Sequence, residues 1–389
     1  MFSQLTHAPL PDWKQLLSIL LSERKLSNID LSLPWVKGND KCYWYSRSAW
    51  ALLAISNYRR KIVDNRKVQI WLPSFFCNES LELLRNSKVK LSFYPIKDDG
   101  SPDLKACNKM LNDSKPDLFV IVHYFGELTD PVGLSTFAIT SGAWLIEDAA
   151  HILIPYDGIG EIGDFVFYSP HKLLPIPDGS LLVIRKTGPS RINIDNFIYD
   201  DFVNLEKELK IKLKSTFTPY AWLIKRYLQK IGIASINSKN LGFFENDEYR
   251  TDLKRYSAPK MSLIAKKLLA NMINNLEKEK IKRKENINAW IKYFSLSGIL
   301  DESLYHIQEI GIPYLAVLKF SKSKNAKRVF NLLQKVKVPV STWPDLPPEV
   351  LADDQKYKIA ISMRKSRVLL PVHRSINKKS IKQILNKIG

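Results

Sequence analysis

An acid and an amine at the ends of two neighbouring apolar runs are the residues through which this sequence could do chemistry. From Trp144 to Ile184 the chain reads WLIEDAAHILIPYDGIGEIGDFVFYSPHKLLPIPDGSLLVI. The first run delivers Asp148 and His151, and the second ends near Ser169, His171 and Lys172. A lone lysine is ordinarily a solvated surface charge. Lys172, however, follows the β-rich run Phe165 to Tyr168 and precedes Leu-Leu-Pro-Ile-Pro, which is hostile to a helix. It is therefore expected on a loop at the end of a buried strand. There an amine is partly desolvated and brought toward neutrality, and a neutral amine can condense with an aldehyde. An acid at the end of an adjacent strand is the partner a protonated pyridine nitrogen requires. Asp148 and Lys172 together thus point to a site for pyridoxal phosphate.

These groups can meet only if the strands that carry them lie side by side. Runs expected as strands are Tyr43 to Tyr45, Val68 to Leu72, Lys88 to Tyr94, Asp117 to His123 and Trp144 to Ile146, with helical segments between most of them. That alternation implies βαβ units and a largely parallel sheet, and continuously apolar strands imply that both its faces are covered. Ligands of such sheets bind at the carboxyl ends of the strands. His123, Asp148 and Lys172 all fall at such ends. Ser46, Arg47 and Ser48 form a polar turn between a strand and the buried helix Ala49 to Tyr58, where helix amides and hydroxyls can hold an anion. The plainer alternative is ordinary helix capping by Ser46 or Ser48.

The chain of 389 residues is 45% hydrophobic, enough for a large core and more than one compact unit. It lacks an apolar run of about 18 residues, which argues against a membrane-spanning helix, and its first residues lack the pattern of a secretory signal. Cys42, Cys77 and Cys107 are too scattered for a disulfide framework or a metal site, so a reduced, cytoplasmic protein is expected. Lys plus Arg number 59 against 39 acids, a formal charge of +20. Such an excess suits an anionic partner or a phosphorylated substrate, or it is lysine spread over a solvated surface. No zinc-finger or RNA-recognition signature accompanies it, so nucleic acid is not an expected partner.

Residues 1–40 are expected to form an N-terminal segment with a helix near Trp13 to Leu21, and 41–186 the core of the larger domain. Residues 187–254 read as a helical connector. In it 205–214 and 220–233 are amphipathic and basic, suited to a membrane surface or a partner, or to packing on the main body or a second subunit. Residues 255–389 are expected to be a smaller α+β domain. It would open with a long helix from Ser257 to about Phe294, continue through a strand at Ile312 to Phe320 and a helix at Asn325 to Val336, and reach a strand at Arg367 to Pro371.

Taken in order, YWYSRSAWALLAI, IWLPSFFCNESLELL with VKLSFYPI, VIVHYFGELTDP, WLIEDAAHI, IGDFVFYSPHKLLPIPDGSLLVI and LLPVHRSINKKSIKQIL resemble the DegT/DnrJ/StrS family of sugar aminotransferases. The resemblance spans roughly residues 40 to 385. It implies the aspartate aminotransferase fold (fold type I of the pyridoxal phosphate enzymes), with a mostly parallel sheet flanked by helices and a smaller C-terminal domain. Lys172 would hold the cofactor covalently and move protons, and Asp148 would pair with the pyridine nitrogen. His151 would lie near the ring face or phenolic oxygen. Ser46, Arg47, Ser48 and Ser169 would be placed at the phosphate, Phe75 or Phe76 against the ring, and His123 in a structural or substrate-facing role. The chain departs from the family pattern at Arg47, where glycine is usual, in a shortened serine-to-lysine spacing, and at SAPKMS, which lacks an expected Asn and Arg.

Three activities follow as expectations. The first is amino transfer from an amino acid, glutamate being the expected donor, to a nucleotide-linked keto-sugar in polysaccharide or related sugar biosynthesis, by a homodimer. The second is dehydration or elimination with the same cofactor. The third is a non-catalytic protein on the same fold.

Overall fold

In a computed structural model, residues 5–21, 27–192, 209, 211–233, 243, 256–297, 311–376 and 381–382 are described. Seven strands, β1 (Lys41–Tyr45), β2 (Val68–Pro73), β3 (Val89–Tyr94), β4 (Leu118–Val122), β5 (Trp144–Ala149), β6 (Phe165–Tyr168) and β7 (Ser180–Ile184), form one sheet in the order β1-β7-β6-β5-β4-β2-β3. The pairs β2·β3, β2·β4, β4·β5 and β5·β6 are parallel, and only β7 runs against its neighbours. All the other strands therefore end at one edge. The turns after β1, β2, β4, β5 and β6 meet there.

The strands β6 and β7 are buried because each feeds two cores, whereas the buried apolar residues of β2, β3 and β4 belong to one. In β6, Phe165 and Phe167 enter the cluster that holds the helix Ser48–Ile62, whereas Val166 and Tyr168 enter the cluster of the helix Leu263–Met272. In β7, Leu182 and Ile184 go to the first and Leu181 and Val183 to the second. This period-two division is what a sheet with helices on both faces demands. The helix Leu263–Met272, which the sequence places at the head of the smaller unit, thus packs on the larger sheet. Its start is set by Ser262, whose hydroxyl accepts from Ala265 N–H.

The expected single helix from Ser257 to Phe294 is instead Leu263–Met272, a 3-10 turn at Ile273–Asn275 and Leu276–Ser297. Beyond it, β8 (Leu315–Lys319) and β9 (Arg367–Pro371) pair antiparallel as a second sheet. Ala316, Leu318, Val368 and Leu370 face a third cluster with Trp290 and Phe330, while Val317 and Leu369 face the main core. The smaller sheet is thereby anchored on the larger. Of the helix expected at 205–214, residues 205–208 and 210 lie outside the described residues, and 211–214 are extended rather than helical, Leu213 forming an isolated bridge with Tyr256. The one expected at 220–233 is Thr218–Lys230.

Candidate active site

Asp148 is the penultimate residue of β5, and Lys172 sits one turn beyond β6, so adjacent parallel strands bring acid and amine to one cleft. The cleft encloses about 490 Å³, including the part open to solvent. Lys172 is not on an irregular loop, as the prolines suggested. It lies in the one-turn helix Pro170–Leu173, where Pro170 occupies the first turn and costs no hydrogen bond. Asp148 is 8% exposed, and its Oδ1 accepts from Ala150 N–H at 3.0 Å. Burial raises its pKa, and the charge of Lys172 and the Ala150 amide partly offset that rise. A carboxylate in this setting has reason to take a cationic partner.

His151 is the third member. Its Nε2 lies 3.4 Å from Lys172 Nζ, and its Nδ1 accepts the Phe125 N–H at 3.2 Å. Burial, assisted by the Lys172 charge, holds its pKa well below the usual histidine value. The neutral ring therefore carries its proton on Nε2, facing the lysine. Its plane stacks on Tyr314 at 4.4 Å and 12°.

Side chains alternate along β5, so the neighbouring Glu147 points to the other face. It accepts from His123 Nε2 at 3.0 Å and from the amides of Gly160, Ile162 and Gly163. Burial opposes its charge, but these hydrogen bonds outweigh it and lower the pKa. His123 accepts from Thr129 N–H with its other nitrogen and is fully buried. Its role here is to brace the carboxyl ends of β4 and β5.

The expected phosphate residues separate. Ser48 lines the cleft with Ala49 at the start of a 15-residue helix that has no side-chain cap, so a helix N-terminus borders the cavity. Ser46 does not line the cleft. Its hydroxyl donates to Ala258 O and shares a hydrogen bond with Ser257 Oγ, and its backbone N–H donates to Pro259 O. Arg47 turns away too, its guanidinium donating to Ser46 O and Pro177 O at 3.0 Å each. Ser169 is fully buried, with Ser180 Oγ 3.5 Å away. Of the two phenylalanines, Phe76 lines the cleft, whereas Phe75 is fully buried and stacked on Trp343 at 4.4 Å. Ser46, Arg47, Ser169 and Phe75 thus support the wall from behind rather than form it.

Several lining residues carried no signal in the linear reading. Trp343, from the smaller unit, and Cys77 and Ser80, which follow β2, line the cleft, and Tyr314 stands behind it against the His151 ring. Cys77 Sγ–H donates to Asp345 Oδ1 at 3.3 Å, and Asp345 Oδ2 accepts from Glu79 N–H, which ties the loop carrying Trp343 to the turn after β2. Burial, with Asp345 second, pushes the Cys77 thiol up to about 12. Tyr314 N–H donates to Phe125 O at 2.8 Å. Phe125 itself has φ 56, a left-handed conformation unusual outside glycine. The backbone is strained where it aims its amide at His151.

The residues present fit pyridoxal phosphate. An amine lies beside a buried carboxylate, Phe76 gives an aromatic wall, and an uncapped helix start offers an anion site. No protein-family model matches the chain, and no curated protein matches it in sequence. Solved structures do. Helicobacter pylori PseC, an aminotransferase involved in the biosynthesis of pseudoaminic acid, aligns over 100% of this chain and 98% of its own at 15% identity, with a TM-score of 0.66. The aminotransferase TlmJ from Streptoalloteichus hindustanus aligns over 99% and 97% at 14% identity and a TM-score of 0.65. A DegT DnrJ EryC1 StrS aminotransferase from Brucella abortus aligns over 96% and 93% at 12% identity and a TM-score of 0.60. The fold is that of the pyridoxal phosphate-dependent aminotransferases. The likeness to these aminotransferases runs over almost the whole of each chain.

Proposed function

We propose that this chain is a pyridoxal phosphate-dependent aminotransferase that moves an amino group from an amino acid, glutamate in the simplest reading, to a nucleotide-linked keto-sugar in polysaccharide or related sugar biosynthesis. The observation that carries the reading is the placement of Asp148 and Lys172 at the ends of adjacent strands in one cleft. When bound, the cofactor supplies an aldehyde and an electron-withdrawing ring. Lys172 is the residue to hold the aldehyde carbon and, once released, to take and return a proton beside it. Asp148 would hold a proton on the pyridine nitrogen. His151 orients the lysine through its Nε2, and the ring stays in place because Tyr314 and the Phe125 amide fix its plane. The helix start at Ser48 and Ala49 receives the phosphate. A homodimer in the cytoplasm, with Cys42, Cys77 and Cys107 as free thiols, belongs to the same reading.

The chemistry is tested by incubating the protein with pyridoxal phosphate, glutamate and a panel of nucleotide keto-sugars. Release of 2-oxoglutarate with formation of an amino-sugar, lost in Lys172→Ala, is the expected result. Elimination without 2-oxoglutarate would instead identify a dehydratase, and no turnover with any amino donor would leave a binding protein. Light scattering on the eluted protein tests the dimer, and a fully active monomer would count against it.

A further inference from the structure

The helix Thr218–Lys230 lays its inner side, including Trp222, against the core that also holds Leu268 and Leu269. Its outer side is apolar as well. Phe217, Tyr220, Ile224 and Tyr227 recur at helical spacing and are 61%, 48%, 53% and 45% exposed. Beside them the helix Trp13–Leu21 exposes Trp13 and Leu17, and Trp13 meets Tyr227 edge-on at 5.8 Å. The two helices thus share one surface. Solvated helix faces are normally polar, and a contiguous apolar stripe marks a surface that contacts something.

Charge narrows what that something is. Neither helix contains an acidic residue, while Lys14, Lys225, Arg226 and Lys230 lie on them and Lys212 and Lys214 just ahead of the second. Lys230 Nζ sits 5.3 Å over the Trp13 ring, and the nearby Asp12 is paired with Arg374 at 3.1 Å. A second copy docking here by two-fold symmetry would set these cations against themselves. An anionic bilayer surface offers both what the aromatic stripe and what the lysines require. Interfacial helices combine an apolar face that enters the headgroup boundary with flanking cations that meet the lipid charge. Among the described residues no helix is long and apolar enough to cross a membrane, so the contact is one of lying on the surface.

We propose that the surface formed by Trp13, Leu17, Phe217, Tyr220, Ile224 and Tyr227 docks peripherally on anionic membranes. This does not depend on the chemistry assigned to the cleft. The test is co-sedimentation of the full chain with vesicles of phosphatidylcholine and phosphatidylglycerol in equal parts, against vesicles of phosphatidylcholine alone. Binding to the mixed vesicles, weakened by salt, is expected. The variant Tyr220→Ser/Ile224→Ser/Tyr227→Ser keeps every charge and should partition about tenfold less or weaker. Lys14→Gln/Lys225→Gln/Lys230→Gln should lose the preference for anionic lipid. These positions are exposed or at the rim, so circular dichroism and melting should match the parent. Absence of binding, or a serine variant that binds like the parent because overall charge suffices, would overturn the proposal. So would a serine variant that converts a dimer to a monomer in light scattering, since a second copy would then cover the face.

Discussion

The imidazole of His151 is held between two backbone-anchored contacts and aimed at one amine: its Nδ1 accepts from Phe125 N–H at 3.2 Å and its Nε2 lies 3.4 Å from Lys172 Nζ. The strained Phe125 backbone and the Tyr314 ring make this orientation a property of the fold rather than of a ligand. His151→Phe keeps a flat ring against Tyr314 but removes both nitrogens. Turnover should fall by about 10²-fold, with a smaller loss in His151→Gln, whose amide can still donate. Because burial holds the ring's pKa well below the ordinary 6.5, no acid limb between pH 6 and 8 should vanish in His151→Gln. A limb that did would contradict the neutral assignment.

Asp148 is buried, and its pKa is raised by that burial before any partner is added. Asp148→Asn preserves the shape and the Ala150 contact while removing the charge. The loss in kcat should be roughly 10²–10³-fold, with the absorbance of bound cofactor shifted relative to the parent. A variant of parental activity would remove Asp148 from the proposed mechanism.

Anion binding at the helix Ser48–Ile62 rests more on backbone amides than on hydroxyls, because Ser46 is spent on Ala258 and Ser257. Ser48→Ala should therefore weaken cofactor binding only by the worth of one hydrogen bond, about 1 kcal/mol or several-fold in Kd. Ser46→Ala should act chiefly on stability, seen as a lower Tm with little change in Kd. The reverse pattern would return Ser46 to the phosphate site.

Buried histidines set a pH dependence of stability. His373 Nε2 donates to Thr6 O at 2.9 Å, and burial holds its pKa at about 3 against an ordinary 6.5. His151, His171 and His7 are also lowered, burial being the first cause in each. Below pH 6.5 the unfolded chain takes up protons that these folded groups refuse, so stability is present above that pH and is lost progressively as pH falls toward the folded values. Melting temperature should drop between pH 7 and 5, and the slope should be shallower in His373→Gln. An unchanged slope in that variant would exclude His373 as a contributor.

The framework of the site was legible because its strands are short, apolar and buried on both faces, so each announced its own end. Asp148 and Lys172 were found that way. What escaped the sequence was which side chains face the cleft once the turns close. Ser46 and Ser169 are polar residues beside a site, yet their hydroxyls meet Ala258 and Ser180. Phe75 and Phe76 are indistinguishable in a linear reading, and the first is buried between Tyr124 and Trp343, which arrive from distant parts of the chain. Tyr314 and Cys77 join the site through contacts with Phe125 and Asp345 that no local pattern encodes. The long helix broke at Ile273–Asn275 because its first part packs on the larger sheet and its second on the smaller unit, a division invisible to periodicity.

The central claim is that Lys172 forms the covalent link to pyridoxal phosphate. Borohydride reduction of the loaded protein, followed by peptide mass spectrometry, tests it directly. A pyridoxyl adduct on Lys172 in the parent, and none at that site in Lys172→Ala, is the expected result. An adduct confined to other lysines, or a parent that yields no adduct when saturated with the cofactor, would contradict it.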